Sequence, residues 1–232
     1  LDELRESLAS KWSRQYQGKV SKENVAVTSG CNQAFCASIS SFTSENDEVI
    51  IPTPWYFNHH MWLQMAGVKS IPLDTDANMN PIIEKAEALI TDRTRAIVLV
   101  SPNNPSGAIY SNQLLQKFFD LCKSNQIRLI IDETYKDFHP NASQPHTLLE
   151  NNNWDQVLTI LYSFSKTYRM TGHRIGALLT SKENLIEIEK ALDTFTVCPP
   201  QLGQYAANWG LNNLEAWAAE RRTEILQRAK HF

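Results

Sequence analysis

Short apolar segments alternate with amphipathic ones along this chain, and that alternation limits it to a small set of folds. Residues 96–100 read Ala-Ile-Val-Leu-Val, with no polar side chain, which is typical of a strand buried on both faces of a parallel sheet. Residues 112–125 place apolar side chains at helical spacing and predict an amphipathic helix. The same reasoning predicts further strands at residues 25–28, 48–51, 68–73, 127–131, 157–161 and 175–180.

The connections between these strands are predicted to be largely helical. Helices are expected at residues 1–16, 33–42, 57–66, 82–90, 112–125, 182–194, 200–211 and 214–232. Alternating strands and helices predict an α/β fold of three layers, with a mostly parallel sheet and helices on both faces. The strand at 175–180 follows its predecessor after a short loop, so it is the candidate antiparallel strand. We interpret residues 1–232 as one domain, with functional loops outside the carboxyl ends of the strands.

Charge and cysteine usage narrow the class of protein. The net charge of -3 leaves no basic stripe for nucleic acid and no polybasic patch for a membrane, so neither is predicted as a partner. The four cysteines show no paired spacing of the kind that binds a metal, and no metal site is predicted. Without a signal peptide or a long apolar span, we interpret them as reduced thiols of a cytoplasmic protein.

One lysine, Lys166, follows the predicted strand at 157–161 and lies between Ser163 and Arg174. A lysine at the end of a buried strand is costly to desolvate as a cation, and bonding to an aldehyde as an imine nucleophile removes that cost. The hydroxyls of Ser163 and Ser165 and the guanidinium of Arg174 suit a phosphate. The stretch therefore indicates a lysine that holds a phosphorylated aldehyde. The alternative is a surface lysine in a loop between strands.

Three other strand ends carry side chains with complementary chemistry. Asp132 ends an apolar strand, and in a dry pocket its carboxylate would hold a pyridine nitrogen protonated, which turns such a cofactor into an electron sink. Tyr135 and Asn104 could hydrogen-bond a ring hydroxyl, and Tyr56 offers a flat face for stacking. Each has a plainer interpretation: a capping aspartate, a packed tyrosine, a turn asparagine and a core aromatic.

The strand at 25–28 runs into Ser29 and Gly30 and then into a helix. A strand that feeds a glycine turn and a helix start presents backbone N–H groups at the positive end of a helix dipole, which suits an anion. For a single Ser-Gly pair, an ordinary strand-to-helix turn is the competing interpretation.

Taken together, three segments resemble the signature set of the class I/II aminotransferases, which are pyridoxal-phosphate enzymes of fold type I. They are SPNNPSG at 101–107, DETY at 132–135 and SFSKTYRMTGHRIG at 163–176. The segment TSGCNQA at 28–34 resembles the phosphate-binding turn of the family. The order matches, and the resemblance covers essentially the whole chain as the cofactor-binding large domain. Cys31 departs from the pattern, because the family more often has a small or hydroxyl residue there.

The resemblance implies pyridoxal 5'-phosphate as the cofactor and assigns a role to each position. Lys166 would form the internal aldimine and later move the proton, Asp132 would pair with the pyridine nitrogen, and Tyr135 and Asn104 would bond the phenolic oxygen. Tyr56 would stack on the ring, with Trp55 as the alternative if the register is shifted by one. The phosphate would be bound by Ser163, Arg174, Ser29 and the backbone N–H groups of Gly30 and Cys31.

The resemblance also implies a reaction and partners. The expected activity moves an amino group from an amino acid to a 2-oxo acid, and the expected assembly is a homodimer. Two alternatives remain open: a β-elimination C–S lyase on the same scaffold, and an aminotransferase-like sensor domain of a transcription regulator. An N-terminal arm and a C-terminal small domain are expected outside this chain, so substrate specificity is not predicted, and residues 1–232 alone are expected to transaminate poorly.

Overall fold

The computed structural model describes residues 1–141 and 144–231. Its strands are β1 (Val25–Thr28), β2 (Glu48–Pro52), β3 (Lys69–Leu73), β4 (Thr94–Val100), β5 (Arg128–Asp132), β6 (Leu158–Ser163) and β7 (Gly176–Leu179). Its α-helices are α1 (Asp2–Tyr16), α2 (Cys31–Phe42), α3 (Phe57–Met65), α4 (Ile83–Leu89), α5 (Asn112–Ser124), α6 (Lys182–Thr196), α7 (Gln201–Asn213) and α8 (Glu215–Arg228).

The seven strands of the described residues form one sheet in the order β1-β7-β6-β5-β4-β2-β3. The pairs β2–β3, β2–β4, β4–β5 and β5–β6 are parallel. Strand β7 runs antiparallel to both of its neighbours, β6 and β1. A mostly parallel sheet with one antiparallel strand is therefore confirmed, and β7 is the strand that was predicted for that place.

Helices cover both faces of the sheet, which confirms the three predicted layers. Along β4, Ile97 and Leu99 point into the core shared with α1, α4, α5 and α7. Ala96 and Val98 point into the opposite core, which α2, α3 and α6 cover. A strand buried on both faces has no polar side, and this explains the uninterrupted apolar sequence at 96–100.

The register brings several strand ends to one edge of the sheet. Val100 lies opposite Asp132 in the parallel pair β4–β5, and Asp132 lies opposite Leu161 on β6. Because β7 runs the other way, its first residue, Gly176, pairs with Ser163 on one side and with the end of β1 on the other. The turn after β1 and the loops after β4, β5 and β6 therefore meet at this edge.

Several boundaries differ from the predictions by one or two residues, and three differences concern the site or the end of the chain. Helix α2 begins at Cys31 rather than at residue 33, because the Ala34 N–H already bonds to the Gly30 carbonyl. Strand β6 continues to Ser163, since β7 still pairs with it there. The last predicted helix, at 214–232, is α8 followed by a short 3-10 turn over Ala229–His231. Its final residue, 232, lies outside the described residues.

The described part of the chain contains neither a membrane-spanning helix nor a metal-binding cluster of side chains. None of its helices is both long and apolar enough to span a membrane. No group of three or more histidine, cysteine, aspartate or glutamate side chains there is arranged to hold a metal ion.

Candidate active site

The shared edge of the sheet opens into a cavity of about 370 Å³. Most of the predicted site residues line it: Cys31, Tyr56, Asn104, Asp132, Tyr135, Ser163, Lys166 and Arg174. Ser29 and Gly30 do not line it and lie in the turn that leads into α2. The fold thus brings eight of the ten predicted positions to one place, although they are spread over more than half of the sequence.

Asp132 is the most enclosed charge at the cavity, with 3% of its surface exposed. One carboxylate oxygen lies 3.2 Å from His59 Nε2, and the other accepts the Thr134 backbone N–H at 2.9 Å. Burial raises the pKa of Asp132, but the bonds from His59 and Thr134 outweigh it and hold the pKa below its ordinary value. The carboxylate therefore stays ionised while it faces the cavity.

His59 was not identified from the sequence. It is buried in the first turn of α3, where its ring stacks on Phe35 at a centroid distance of 4.0 Å and meets the edge of Tyr56 at 5.1 Å. Its position three residues after Tyr56 puts both side chains on the same side of the helix start. That spacing was visible in the sequence, but the carboxylate partner is 73 positions away and only the fold brings it close.

Cys31 lies beside the Asp132 carboxylate at the first position of α2. Burial, and then the neighbouring negative charge, raise the pKa of this thiol well above its ordinary value. The thiol is therefore neutral at this position, and it adds no charge to the cavity.

Lys166 lines the cavity from the loop between β6 and β7, and its side chain is exposed. The premise that this lysine is buried at a strand end is wrong. Strand β6 ends at Ser163, and the chain then turns to pair again at Gly176, so the lysine leaves the sheet before it is enclosed. Its Nζ lies 5.8 Å from the centroid of the Tyr135 ring.

Tyr135 and Asn104 come from neighbouring strand ends and approach each other. The Asn104 side-chain amide donates to the Tyr135 hydroxyl over a long 3.5 Å. Tyr56 also lines the cavity, and its hydroxyl accepts a hydrogen bond from Asn58 at 2.8 Å. Trp55, the alternative for stacking on the ring, instead packs on His60 at a centroid distance of 4.3 Å and does not line the cavity.

The turn before α2 is shaped by close backbone approach. Gly30 has φ +87°, and a Cβ built there would lie 2.2 Å from Arg174 Nη2. A Cβ at Gly176 would lie 2.7 Å from the Cys31 backbone nitrogen. Glycine at both positions therefore lets the guanidinium, the end of β1 and the first turn of α2 come together.

Several polar groups around this turn can form further hydrogen bonds. The first backbone N–H groups of α2 have no partner within the helix, and their dipole favours an anion. The Ser29 hydroxyl is buried and has no hydrogen-bond partner among the described residues. Ser163 Oγ accepts the Ser165 N–H at 3.2 Å and keeps its own proton for another acceptor. Arg174 donates to the Thr171 carbonyl at 2.9 Å, which leaves most of its guanidinium donors available.

Six further residues line the cavity, and of these only Ser165 was identified from the sequence, as a hydroxyl that suits a phosphate. They are Asn32, Phe57, Val100, Thr134, Ser165 and Thr171. All of them flank a predicted site residue within three positions or end a strand, so their proximity follows from the loops that carry them. None of the six side chains is charged.

Comparison with known proteins agrees with this fold. The model of the family "Aminotransferase class I and II" matches residues 1–232. The chain is 29% identical to the aspartate aminotransferase of Thermotoga maritima over 98% of its own length and 62% of that protein. It is 31% identical to the aspartate aminotransferase of Sulfolobus acidocaldarius over 89% of its own length and 52% of that protein.

Among solved structures, the aromatic aminotransferase from Pyrococcus horikoshii OT3 superimposes with a TM-score of 0.92 at 28% identity. That match covers 99% of this chain and 63% of the solved one. The chain therefore belongs to the aminotransferase class I and II family. It spans roughly half to three-fifths of the length of the relatives that it matches.

Proposed function

We propose that this chain binds pyridoxal 5'-phosphate and carries the catalytic centre of an aminotransferase, which moves an amino group from an amino acid to a 2-oxo acid. The observation that carries the proposal is that Asp132 and Lys166 face one cavity from neighbouring strand ends. They are the acid and the amine that this cofactor needs at its ring nitrogen and its aldehyde carbon. Membership of the family supports the same reading.

The residues present fit the cofactor. The cavity, at about 370 Å³, is in the range of small-molecule sites. Its phosphate end would be formed by the start of α2, by Ser163 and by Arg174, where the missing Cβ of Gly30 leaves room for the guanidinium. The buried, unpartnered hydroxyl of Ser29 would gain a partner there, as buried polar groups normally have.

Each side chain has a separate task in this proposal. When bound, the cofactor supplies an aldehyde carbon that bonds to amines and a protonated ring that draws electrons from the substrate Cα. Asp132 keeps the ring nitrogen protonated, because His59 and Thr134 hold the carboxylate ionised and in place. Lys166 would be the amine that holds the aldehyde carbon, and once the amino group of the substrate has taken its place there, the freed Nζ would take the Cα proton as a general base.

The remaining residues orient the ring. Tyr135 and Asn104 are assigned to the ring hydroxyl, because their polar groups already converge at the cavity. Tyr56 is assigned to stacking on the ring, since it and not Trp55 lines the cavity. The hydrogen bond from Asn58 and the edge contact with His59 hold the Tyr56 ring at this wall.

An absorbance spectrum with added pyridoxal 5'-phosphate tests the proposal. The wild type is expected to show the band of a lysine-bound cofactor, and Lys166→Ala is expected to lose it. Lys182→Ala is the matched control, because Lys182 is also exposed but lies at the start of α6, outside the lining of the cavity. A band that survives in Lys166→Ala, or no band in the wild type, would contradict the proposal.

Amino transfer is proposed in preference to β-elimination because the relatives named above are aminotransferases. Product analysis with an amino acid that carries a β-leaving group separates the two reactions. A transferase needs a second 2-oxo acid for turnover. A C–S lyase releases ammonia and pyruvate without one, and that outcome would reassign the reaction on the same residues.

We also propose that the complete enzyme is a homodimer. Large apolar side chains are exposed on α3 and around α7, including Met65 at 76%, Leu202 at 83% and Trp209 at 59%. Leu202 and Trp209 are seven residues apart on α7 and share one face of that helix, and an exposed apolar face of this kind is typical of a protein–protein contact. We propose that residues 1–232 form the large domain, and that a small domain and an N-terminal arm complete the substrate site. Light scattering of the complete protein tests the dimer, and a monomer would contradict it.

We place the protein in the cytoplasm. The four cysteines are free in the structure, and two of them, Cys31 and Cys122, are buried. Free thiols persist in reducing compartments. Fractionation of the source cells tests the assignment, and recovery from a secreted or membrane fraction would contradict it.

A further inference from the structure

A cluster of buried charges lies behind the loop that carries Lys166, and the proposed function does not use it. Lys136 and Asp137, in the turn after β5, are 2% and 7% exposed. Lys11 reaches the cluster from α1, and Tyr162 and Tyr168 reach it from either side of Lys166. Buried charges are costly unless they are paired, so these side chains must hold one another in defined positions.

Asp137 is the centre of the cluster. The Tyr162 hydroxyl donates to its Oδ2 at 2.6 Å. Burial raises the pKa of Asp137, but the charges of Lys136 and Lys11 and the bond from Tyr162 outweigh it and hold the pKa below its ordinary value. The Thr167 hydroxyl also contributes to this lowering, although it does not reach full hydrogen-bond geometry with any described residue.

Lys11 fixes the other side of the loop. Its Nζ donates to the Tyr168 hydroxyl at 3.1 Å and lies 5.6 Å from the centroid of that ring. The negative charge of Asp137 favours the protonated form of Lys11 against the opposing effect of burial, so its pKa is raised. The same ring packs closely on α7, where a Cβ at Gly210 would lie 3.2 Å from it.

Residues that make these contacts lie close to Lys166 in the sequence, on both sides of it. Tyr162 lies four residues before Lys166, and Thr167 and Tyr168 directly follow it. Lys166 itself is exposed and has a long, flexible side chain, so the position of its Nζ depends on where the backbone of the loop is held. A charge-assisted hydrogen bond on a buried carboxylate is among the stronger restraints available for this.

The turn that carries Asp137 also bears on the cavity. It begins at Tyr135, and the Phe138 N–H bonds back to the Tyr135 carbonyl at 2.9 Å. Asp137 therefore joins two segments: the turn that presents Tyr135 and, through Tyr162, the end of β6 from which the Lys166 loop starts. The two cavity groups approach to 5.8 Å, measured from Lys166 Nζ to the Tyr135 ring centroid.

We propose that Asp137 is a positioning residue, which holds the Lys166 loop against the Tyr135 turn through Tyr162 and through the Lys11–Tyr168 contact. The inference rests on the proposed function only for the chemistry of Lys166. The anchoring of the loop is a property of the chain without cofactor, so it can be measured separately.

Hydrogen exchange without cofactor tests the anchoring. The loop amides of Phe164, Arg169 and Met170 are hydrogen-bonded in the structure. We expect Tyr162→Phe and Asp137→Asn to speed exchange across residues 164–170 by roughly tenfold, because the first removes a hydrogen bond to a charged group and the second removes the charge that strengthens it. The strand amides of β4 are expected to stay unchanged. If Asp137→Asn does not fold, Tyr162→Phe and Tyr168→Phe decide the question.

Tyr16→Phe is the matched control. Tyr16 is also a buried tyrosine whose hydroxyl donates to a buried carboxylate at 2.6 Å, but that carboxylate is Glu133, which makes no contact with the loop in any hydrogen bond or ion pair described. This variant is expected to cost similar stability and to leave exchange at 164–170 unchanged. Unchanged loop exchange in Tyr162→Phe, or an equal increase in Tyr16→Phe, would overturn the proposal.

A second readout follows the amine itself. We expect Tyr162→Phe to slow the formation of the lysine adduct with pyridoxal 5'-phosphate by about tenfold, since small misplacements of reacting groups cost large factors in rate. Tyr16→Phe should react at the wild-type rate. Equal rates in wild type and Tyr162→Phe would overturn the positioning role. A wild type that forms no adduct would refute the proposed function, and the exchange data would still decide whether Asp137 anchors the loop.

Discussion

Two neighbouring residues at the end of β5 carry nearly the same chemistry in two different surroundings. Asp132 lies 3.2 Å from His59 Nε2, and Glu133 lies 2.8 Å from His146 Nε2. Both carboxylates are buried, with 3% and 1% exposed. Each pair would look equally catalytic if only the two side chains were considered.

The two carboxylates differ in their other surroundings: one faces the cavity and the other faces a helix. Successive residues of a strand point to opposite faces of the sheet, so Asp132 faces the cavity and Glu133 faces the layer of α1. There Glu133 also accepts the Tyr16 hydroxyl at 2.6 Å, and it does not line the cavity. An acid and histidine pair therefore indicates function only when a ligand can reach it; otherwise it is a structural bond between layers.

The largest expected effect, on the reaction rate, comes from removing the charge of Asp132, the carboxylate that faces the cavity. Asp132→Asn keeps the shape of the side chain but cannot hold a ring nitrogen protonated, so the rate of the amino-acid half-reaction should fall by roughly 10³-fold. Stopped-flow absorbance of the cofactor-loaded enzyme measures this rate. A loss of less than about tenfold would mean that the carboxylate has no special role in the chemistry.

The corresponding substitution at the next residue, Glu133→Gln, should lower the free energy of unfolding and leave the reaction rate almost unchanged. Glu133→Gln keeps the shape but weakens the bonds to Tyr16 and His146, and it should lower the free energy of unfolding by about 2 kcal/mol. The half-reaction rate should stay within a few-fold of the wild type. Urea unfolding and the same stopped-flow assay check both parts. A large loss of rate in a folded Glu133→Gln protein would remove the distinction between the two residues.

A smaller effect, on cofactor affinity, is expected from adding a side chain to the turn before α2. Gly30→Ala places a methyl group against Arg174 at a positive φ, so the affinity for pyridoxal 5'-phosphate should fall by about tenfold, or about 1.4 kcal/mol. Gly107→Ala is the matched control, because Gly107 also has a positive φ but no atom lies within 4 Å of its added Cβ. Equal losses in the two variants would mean that backbone strain alone is responsible.

The smallest expected effect is a change in how the free energy of unfolding depends on pH in acid. The pKa of Asp132 is lower in the folded protein than its ordinary value of 3.8, so the fold stabilises the ionised form. That contribution is present above about pH 4 and is lost as the pH falls through the folded pKa. Asp132→Asn should therefore flatten the acid side of the stability profile, measured by urea midpoints between pH 2 and 7. Asp137, whose pKa is also lowered, should preserve part of the slope. An unchanged slope would contradict the low pKa of Asp132.

Much of this molecule was predictable from local pattern. The strand at 96–100 and the order of strands and helices followed from apolar periodicity, because both faces of the sheet are buried. The cavity positions followed from strand ends, since parallel strands end at one edge. The antiparallel placement of β7 also followed, from its short connection to β6.

Pairings between distant segments were not predictable. His59 meets Asp132 only because α3 packs beside the end of β5, and Lys11 meets the Lys166 loop only because α1 crosses behind it. The exposure of Lys166 agrees with the alternative interpretation, a surface lysine in a loop between strands, and not with a lysine buried at a strand end. The sequence could not decide between them, because a difference of one or two residues in the end of a strand decides whether a side chain is enclosed. Tyr56 and Trp55 could not be separated by sequence, since a single residue of register exchanges them.

Reductive trapping tests the central claim most directly, because it reports which amine reaches the aldehyde bound beside Asp132. The protein is incubated with pyridoxal 5'-phosphate, reduced with borohydride, digested and examined by mass spectrometry. We predict one dominant pyridoxyl adduct, on Lys166, which free inorganic phosphate diminishes by competing for the same anion site. An adduct mainly on another lysine, such as Lys182, or an even spread over the exposed lysines would contradict the account.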